Sequence, residues 1–299
     1  MALDDLDERK ANLKYLYHFF VRRGFNDVIT GTAQPQITRK SLETVKIPLP
    51  PLAEQKRIAA ILDKADAIRR KRQEAIELAD TFLRSVFLSM FGDPVTNPMG
   101  WDERPFGEVV LKVVGGWSAL GEDRLPHDDE KAVLKVSAVT YGVYRPEECK
   151  AVSEIPKNKK LVVPQVGDLL FSRANTRQLV AATCIVTNAQ GNVFLSDKLW
   201  RIDTDKQSIL PEYVKFLFSH QRFREQVSHQ ATGTSGSMLN ISKQKLLEVT
   251  VPIPEYGKQN KFAELFWKMS GVFSKLHRVT QESNDVFSSL QQRAFRGDL

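Results

Sequence analysis

The sequence predicts an α+β chain in which one mixed α/β domain is bracketed by two long helices that pair as a coiled coil. Three observations carry this. First, a stretch recurs at a spacing of 204 residues: Ile37, Leu42, Val45, Pro48, Pro50, Gln55 and Ala59 are matched by Ile241, Leu246, Val249, Pro252, Pro254, Gln259 and Ala263. An internal repeat outranks local signals when architecture is read. Second, each copy leads through a proline-punctuated turn into a proline-free segment, Glu54 to Phe91 and Lys258 to Phe295. About five heptads of apolar spacing are too many for an ordinary globular helix and fit a coiled coil. Third, the block between them carries short β-rich runs separated by Gly, Pro, Asn and Asp turns.

Taken in order, residues 1–36 are too few to bury a core of their own. Their aromatic helix, Asn12 to Phe25, resembles Pro211 to Arg224, and each precedes a Gly-Thr pair, so this segment reads as the remnant of a second copy of the central block. Residues 37–93 form the first repeat: a strand at Val45–Ile47, the turn and the first long helix. Its seam is predicted to hold Ile58, Ile61, Leu62, Ile68 and Leu83, with Arg72 as the one polar defect. Residues 94–254 form the mixed domain, with runs at Val109–Val114, Ala132–Val139, Leu161–Val163, Asp168–Phe171 and Ala181–Val186 and a helix over Pro211–Val227. Residues 255–299 are the second long helix, with Phe262, Leu265, Met269 and Leu276 on its seam. At about 1.5 Å per residue each long helix would measure roughly 55–60 Å.

Composition excludes several classes. The 299 residues are 42% hydrophobic, yet no apolar run approaches the roughly 20 residues of a membrane span, and MALDDLDERK lacks a signal h-region. Cys149 and Cys184, the two cysteines, have neither metal nor redox spacing and read as ordinary thiols of a reducing cytoplasm. No phosphate loop, dinucleotide turn, nucleophile elbow or zinc spacing occurs. His18, His127, His220, His229 and His277 are scattered, and Asp168 with Arg173 lies in a strand-to-loop context where Asp168 is a turn residue. No catalytic constellation, metal or cofactor is expected in this chain.

The net charge of +7 favours a polyanionic partner, although charge alone fits a merely soluble basic protein equally well. Ser172-Arg173-Ala174-Asn175-Thr176-Arg177 places two guanidiniums and an amide on a loop after an apolar strand, groups suited to base edges or phosphate. Gly233 to Ser237, with Thr234, Ser235 and Ser237 followed by Asn240, supplies hydroxyls and close backbone approach suited to a phosphate, or is simply a flexible loop capping a strand; Lys198 and Lys135 are weaker candidates. The run Arg69-Arg70-Lys71-Arg72 is balanced by Asp63, Asp66, Glu74 and Glu77 and reads as a solvated or partner-facing helix side.

GDLLFSRAN (167–175), LSDKLWRI (195–202), GTSGSMLNIS (233–242) and the pair IPLPPLAEQKRIAAIL and VPIPEYGKQNKFAELF together resemble the specificity subunits of Type I restriction–modification enzymes. The resemblance implies a target-recognition domain that reads one half of a bipartite DNA site. It further implies an antiparallel coiled coil that docks methyltransferase (M) subunits, and restriction/translocase (R) subunits in the same complex. S-adenosylmethionine, ATP and Mg would belong to those partners. Full-length members carry two complete recognition domains, whereas this chain has one and the 1–36 segment, so self-association could supply the second. Two rival readings are a coiled-coil scaffold, or regulatory half-subunit, without DNA recognition and a module of a methylating nuclease.

Overall fold

The computed structural model describes residues 6–31, 34–233 and 238–299, apart from the side chains of Ser274, His277, Arg278 and Gln281. In chain order come α1 (Leu13–Arg23), β1 (Ile29–Thr30), β2 (Gln36–Ile37), α2 (Arg39–Leu42) and the 40-residue α3 (Leu52–Phe91). Then follow β3 (Asp102–Pro105), β4 (Val110–Gly115), β5 (Lys131–Leu134), α4 (Ser137–Thr140), β6 (Cys149–Val152), β7 (Leu169–Ser172) and β8 (Ala174–Asn175). The remainder is β9 (Thr183–Ile185), β10 (Val193–Phe194), β11 (Leu199–Thr204), α5 (Pro211–Ser219), α6 (Gln221–His229), β12 (Leu239–Asn240), α7 (Lys243–Leu247), β13 (Thr250–Ile253) and the 41-residue α8 (Tyr256–Arg296). Contacts divide the chain into two compact units, 1–80 with 271–299 and 81–270, and both long helices contribute to each.

In the first unit α3 and α8 run antiparallel. Arg57 Nη2 donates to Leu299 O at 2.6 Å, and Arg72 Nη1 donates to Val279 O at 2.8 Å. The polar defect at Arg72 is thus absorbed by a backbone carbonyl of the opposing helix. Ile58, Ala59 and Leu62 bury with Tyr15 and Ala294, flanked by Phe287, Leu290 and Phe295. Leu62 is fully buried, Ile61 beside it only half-buried, and Ile68 is 51% exposed, so Ile68 lies off the seam on which the heptad count placed it. An α-helix drifts about 20° per heptad against a strict seven-residue repeat, which moves the buried stripe by one position. On the same stripe Asp66 is buried and paired with Arg69 at 2.8 Å and with Arg70.

In the second unit a four-stranded antiparallel sheet has the order β4-β11-β7-β9, and a three-stranded sheet has the order β10-β5-β6. The central strand β7 is buried along its whole length, as its LLFS sequence requires. Aromatic rings of α3 (Phe87, Phe91), α5 (Tyr213, Phe216) and α8 (Phe262) pack at centroid distances of 4.9–5.8 Å. Leu83 and Phe262 are buried here, whereas Leu265 and Met269 are half-buried; Leu276, in the first unit, is half-buried too.

The sequence repeat extends to side-chain detail. Thr38 caps α2 by accepting from Ser41 N, and Ser242 caps α7 by accepting from Lys245 N, each at 3.2 Å. The fully buried Gln55 accepts from Asn12 N at 2.8 Å and donates to Lys10 O and Pro50 O. Gln259 accepts from Leu210 N at 2.8 Å and donates to Ser208 O and Pro254 O. Tyr15 Oη donates to Pro48 O at 2.8 Å, and Tyr213 Oη donates to Pro252 O at 3.0 Å. Each unit therefore holds one tyrosine helix against one proline turn through one glutamine. Tyr15 matches Tyr213, one residue off the register in which Asn12 faces Pro211.

Four local expectations are corrected. Residues 45–47 form no strand: β13, their counterpart, pairs with β3, and no such neighbour strand meets 45–47 among the described residues. The run from Ala132 is extended only to Leu134 and turns helical at Ser137, while Leu161–Val163 stays outside any strand, packing Leu161 and Val163 on Val133, Val152 and Phe194. The helix over Pro211–Val227 breaks at His220, which is extended. There Ser219 Oγ donates back to Lys215 O at 2.7 Å, a bond that bends helices, and the break lets Phe218 and Phe223 both be buried.

Candidate nucleic-acid interface

The end of β7 is where buried strand gives way to polar loop. Arg173 N donates to Lys198 O at 3.0 Å, and Arg173 O accepts from Ile241 N at 2.9 Å. Those two bonds staple three separate segments, 172–176, 196–199 and 239–241, into one surface. β8 continues it by pairing with β12, Leu239 opposite Asn175 and Asn240 opposite Ala174. β4 delivers a fourth segment: Gly116 N donates to Leu199 O and Trp117 N donates to Leu195 O. Only glycine fits at 116, because a Cβ there would stand 1.9 Å from Leu195 O.

The Arg173 guanidinium carbon lies 5.5 Å from the Trp200 ring, and Trp200 in turn stacks on Phe171 at 5.8 Å with an interplanar angle of 13°. A cation over an indole face is held by the ring quadrupole, so this arginine is positioned without a carboxylate. Its Nε is buried and has no hydrogen-bond partner, and the same holds for Ser172 Oγ, Thr176 Oγ1 and Ser196 Oγ nearby. Buried polar atoms are normally satisfied within the fold. Four such atoms cluster at one sheet end, just beneath the polar loops.

The other sequence candidates divide. Lys198 and Asn240 lie on the stapled surface, and neither side chain has a hydrogen bond or ion pair among the described residues. Asn175 is occupied locally: Nδ2 donates to Thr140 Oγ1 at 3.2 Å and Oδ1 accepts from Thr176 N at 2.9 Å. Lys135 belongs to the other sheet's strand end and is paired with Asp123 at 2.8 Å and Glu148 at 3.5 Å. Arg177 is exposed on the following turn and lines a separate cleft with Arg84 and Arg224. Thr234, Ser235 and Ser237 lie outside the described residues. Sequence reasoning missed Trp200 and Trp117, although a tryptophan at the end of a β-run beside LSDK was a usable signal. Trp117 stacks on Phe194 at 6.0 Å, with the Lys159 ammonium 5.3 Å from its ring.

The remaining titratable groups read as structural. His18 is buried, its Nε2 2.9 Å from Asp63 Oδ1. Burial pushes the thiols of Cys149 and Cys184 up, away from reactivity. Burial likewise raises the carboxyl of Asp168, whose Oδ2 accepts from Gln165 N in a turn at 2.8 Å. No helix among the described residues is long and apolar enough to cross a membrane.

Residues 3–78 match the family described as the Type I restriction modification DNA specificity domain. The chain is 28% identical over 173 residues to the Type I restriction enzyme EcoEI specificity subunit of Escherichia coli, covering 56% of this chain and 28% of that one. It is 25% identical to the EcoKI specificity subunit of Escherichia coli, covering 95% of this chain and 65% of the other. It is also 25% identical to the MjaVIII specificity subunit of Methanocaldococcus jannaschii, over 87% and 64%. The chain thus spans under two thirds of the length of each of these relatives. In fold it is like the Type I restriction–modification S subunit from M. genitalium, with a TM-score of 0.56 at 15% identity over 97% of this chain and 74% of that one.

Proposed function

We propose that this chain, which is similar to the Type I restriction–modification specificity subunits, is one of them, that it reads DNA sequence for a methylating and restricting complex and that it performs no catalysis itself. The observation that carries the reading is the stapled surface at the end of β7, where Arg173, Lys198 and Asn240 converge beside four orphaned polar atoms. A guanidinium held over an indole would be pre-positioned to offer its terminal N–H groups to guanine O6 and N7 in a major groove. Lys198, Asn240 and the hydroxyls at Thr234, Ser235 and Ser237 would hold backbone and flanking bases, with Asn175 shaping the loop. In this reading residues 94–254 contact DNA, and 37–93 with 255–299 dock methyltransferase subunits. Residues 1–36 correspond to the last part of the recognition domain, as the Tyr15 and Tyr213 nodes suggest. S-adenosylmethionine, ATP and Mg then act on partner chains in the cytoplasm, and a second copy of the chain would supply the second half-site.

The test is binding of duplex DNA across a salt series, with partner subunits present and absent. Arg173→Ala should cost about 1–3 kcal/mol on the cognate duplex and relax preference at one position. Wild-type affinity and selectivity in that variant would remove the surface from the DNA interface, and absence of DNA binding by the whole complex would favour the scaffold reading. Methyl transfer or ATP turnover by the purified chain alone would refute the non-catalytic assignment.

A further inference from the structure

Within the second unit, the last turns of α3, the turn after Thr176 and the α5–α6 junction enclose a cleft of about 620 Å³. Three guanidiniums, Arg84, Arg177 and Arg224, reach it from these three elements, over an apolar floor that includes Leu88 and Phe216. Glu225 is the carboxylate in its lining, and its Oε1 already accepts from Gln221 Nε2 at 3.0 Å. Asp93, close by in charge terms, is bound to Arg222 at 2.5 Å. Arg84 donates to Ser219 O at 3.3 Å, the end of α5. The Arg224 side chain is half-buried and makes no hydrogen bond or ion pair among the described residues, while its backbone N donates to His220 O at 2.9 Å. Its pKa is held below the ordinary value first by burial and then by the neighbouring charge of Arg84, against a smaller raising effect of Glu225. His220, on the same wall, has a buried Nδ1 without a partner.

The charge of Arg84 bears on the half-buried Arg224 in a partly desolvated cleft, a repulsion that an anion between them would relieve. Guanidinium forks suit the planar, multidentate recognition of phosphate oxygens, and the apolar floor lowers the local dielectric and strengthens each contact. We propose that this cleft seats a backbone phosphate of the bound DNA, gripped by Arg84, Arg177 and Arg224. The inference rests on the DNA-reading function proposed above, and what favours DNA over an acidic peptide is covalent continuity: Arg177 is four residues beyond Arg173 on one loop. The cleft would fix the register in which Arg173 meets a base edge, contributing affinity without sequence preference.

The experiment has two arms, run on the wild-type chain and on Arg224→Gln and Arg177→Gln. Arg177 is exposed on its turn, so its variant keeps the test open if Arg224→Gln misfolds. The first arm titrates inorganic phosphate, followed by calorimetry; the second measures duplex affinity against salt for cognate and scrambled sequences. Expected are millimolar phosphate binding lost in the variants, a roughly tenfold loss of affinity for both duplexes, and a log–log salt slope smaller by about one. Wild-type slopes and affinities in the variants overturn the proposal. Loss of phosphate binding with an unchanged slope overturns the DNA assignment and points to a free phosphate or an acidic partner. If the wild-type chain and its complex bind no duplex, the proposed function falls as well, and the phosphate arm then decides whether the cleft is an anion site of another kind.

Discussion

Replacing Gln259 with methionine isolates the node that ties α8 to the chain before α5. The Gln259 side chain is fully buried. Its amide makes three hydrogen bonds, accepting from Leu210 N at 2.8 Å and donating to Pro254 O at 2.7 Å and Ser208 O at 3.0 Å. Methionine keeps the length and nearly the volume, so packing is preserved while one N–H and two carbonyls lose their partner. Each stranded buried group costs about 1–3 kcal/mol, and because the three share one site the sum should fall near 3–5 kcal/mol. That is a large fraction of the roughly 5–15 kcal/mol by which domains are stable. All four tryptophans, Trp101, Trp117, Trp200 and Trp267, lie in the same unit as Gln259, so tryptophan fluorescence reports its unfolding in urea. The midpoint should fall by roughly 1–3 M. Gln259→Glu adds a sign test: the carboxylate faces two carbonyls, so its pKa is raised and the protein regains stability on acidification, when the protonated carboxyl donates one of the lost bonds. A Gln259→Met midpoint within about 0.3 M of wild type, or no acid recovery in Gln259→Glu, would refute the role given to the amide.

The seam prediction ranks three neighbours: Leu62→Ala should cost about 2–5 kcal/mol in thermal or urea unfolding, Ile61→Ala less, and Ile68→Ala within about 0.5 kcal/mol. An inverted order would mean the buried stripe is misplaced. Acid sensitivity should follow from α3. The hydrogen bond from Lys14 holds the Asp63 carboxyl below the usual range. At Asp66 burial pushes the other way but is outweighed by Arg69 and Arg70. Both native pKa values are depressed, so the unfolded chain binds more protons in that window. The stabilisation is complete above the ordinary carboxylate value of about 3.9 and is lost as pH falls through the native values. Tm followed from pH 6 to pH 2 should therefore drop less steeply in Asp63→Asn and Asp66→Asn than in wild type, and equal slopes would refute it. Trp200→Leu keeps the sheet apolar and removes the indole beneath Arg173. It should blur base preference in duplex competition more than it weakens overall affinity, and unchanged selectivity would deny Trp200 a positioning role.

What the sequence determined by itself is what local periodicity encodes. The spacing of apolar residues and the absence of proline were enough for α3 and α8, because helix formation over 40 residues depends on neighbours three and four positions away. The repeat at 204 residues likewise located both proline turns and the equivalent glutamines, Gln55 and Gln259, and the LLF run located a buried strand opening into the Arg173 loop. Tertiary structure alone decided which residues those signals would meet. Ile61, Leu62 and Ile68 are equally apolar in sequence, and the one that is buried depends on how α8 lies against α3. The glutamines look like surface residues until Asn12 N and Leu210 N, 43 and 49 residues away, arrive to use their amides. The break at His220 is invisible in a run of good helix formers because it is driven by the burial of Phe218 and Phe223 on either side of it. Arg173 came to rest over Trp200 because β7 and β11 pair with Leu199 opposite Ser172. Arg177 was joined to Arg84 and Arg224 only by the folding of α5 and α6. Pairing register and cleft formation are non-local, so the chemistry of a site assembled from four loops is written in contacts that no window of sequence contains.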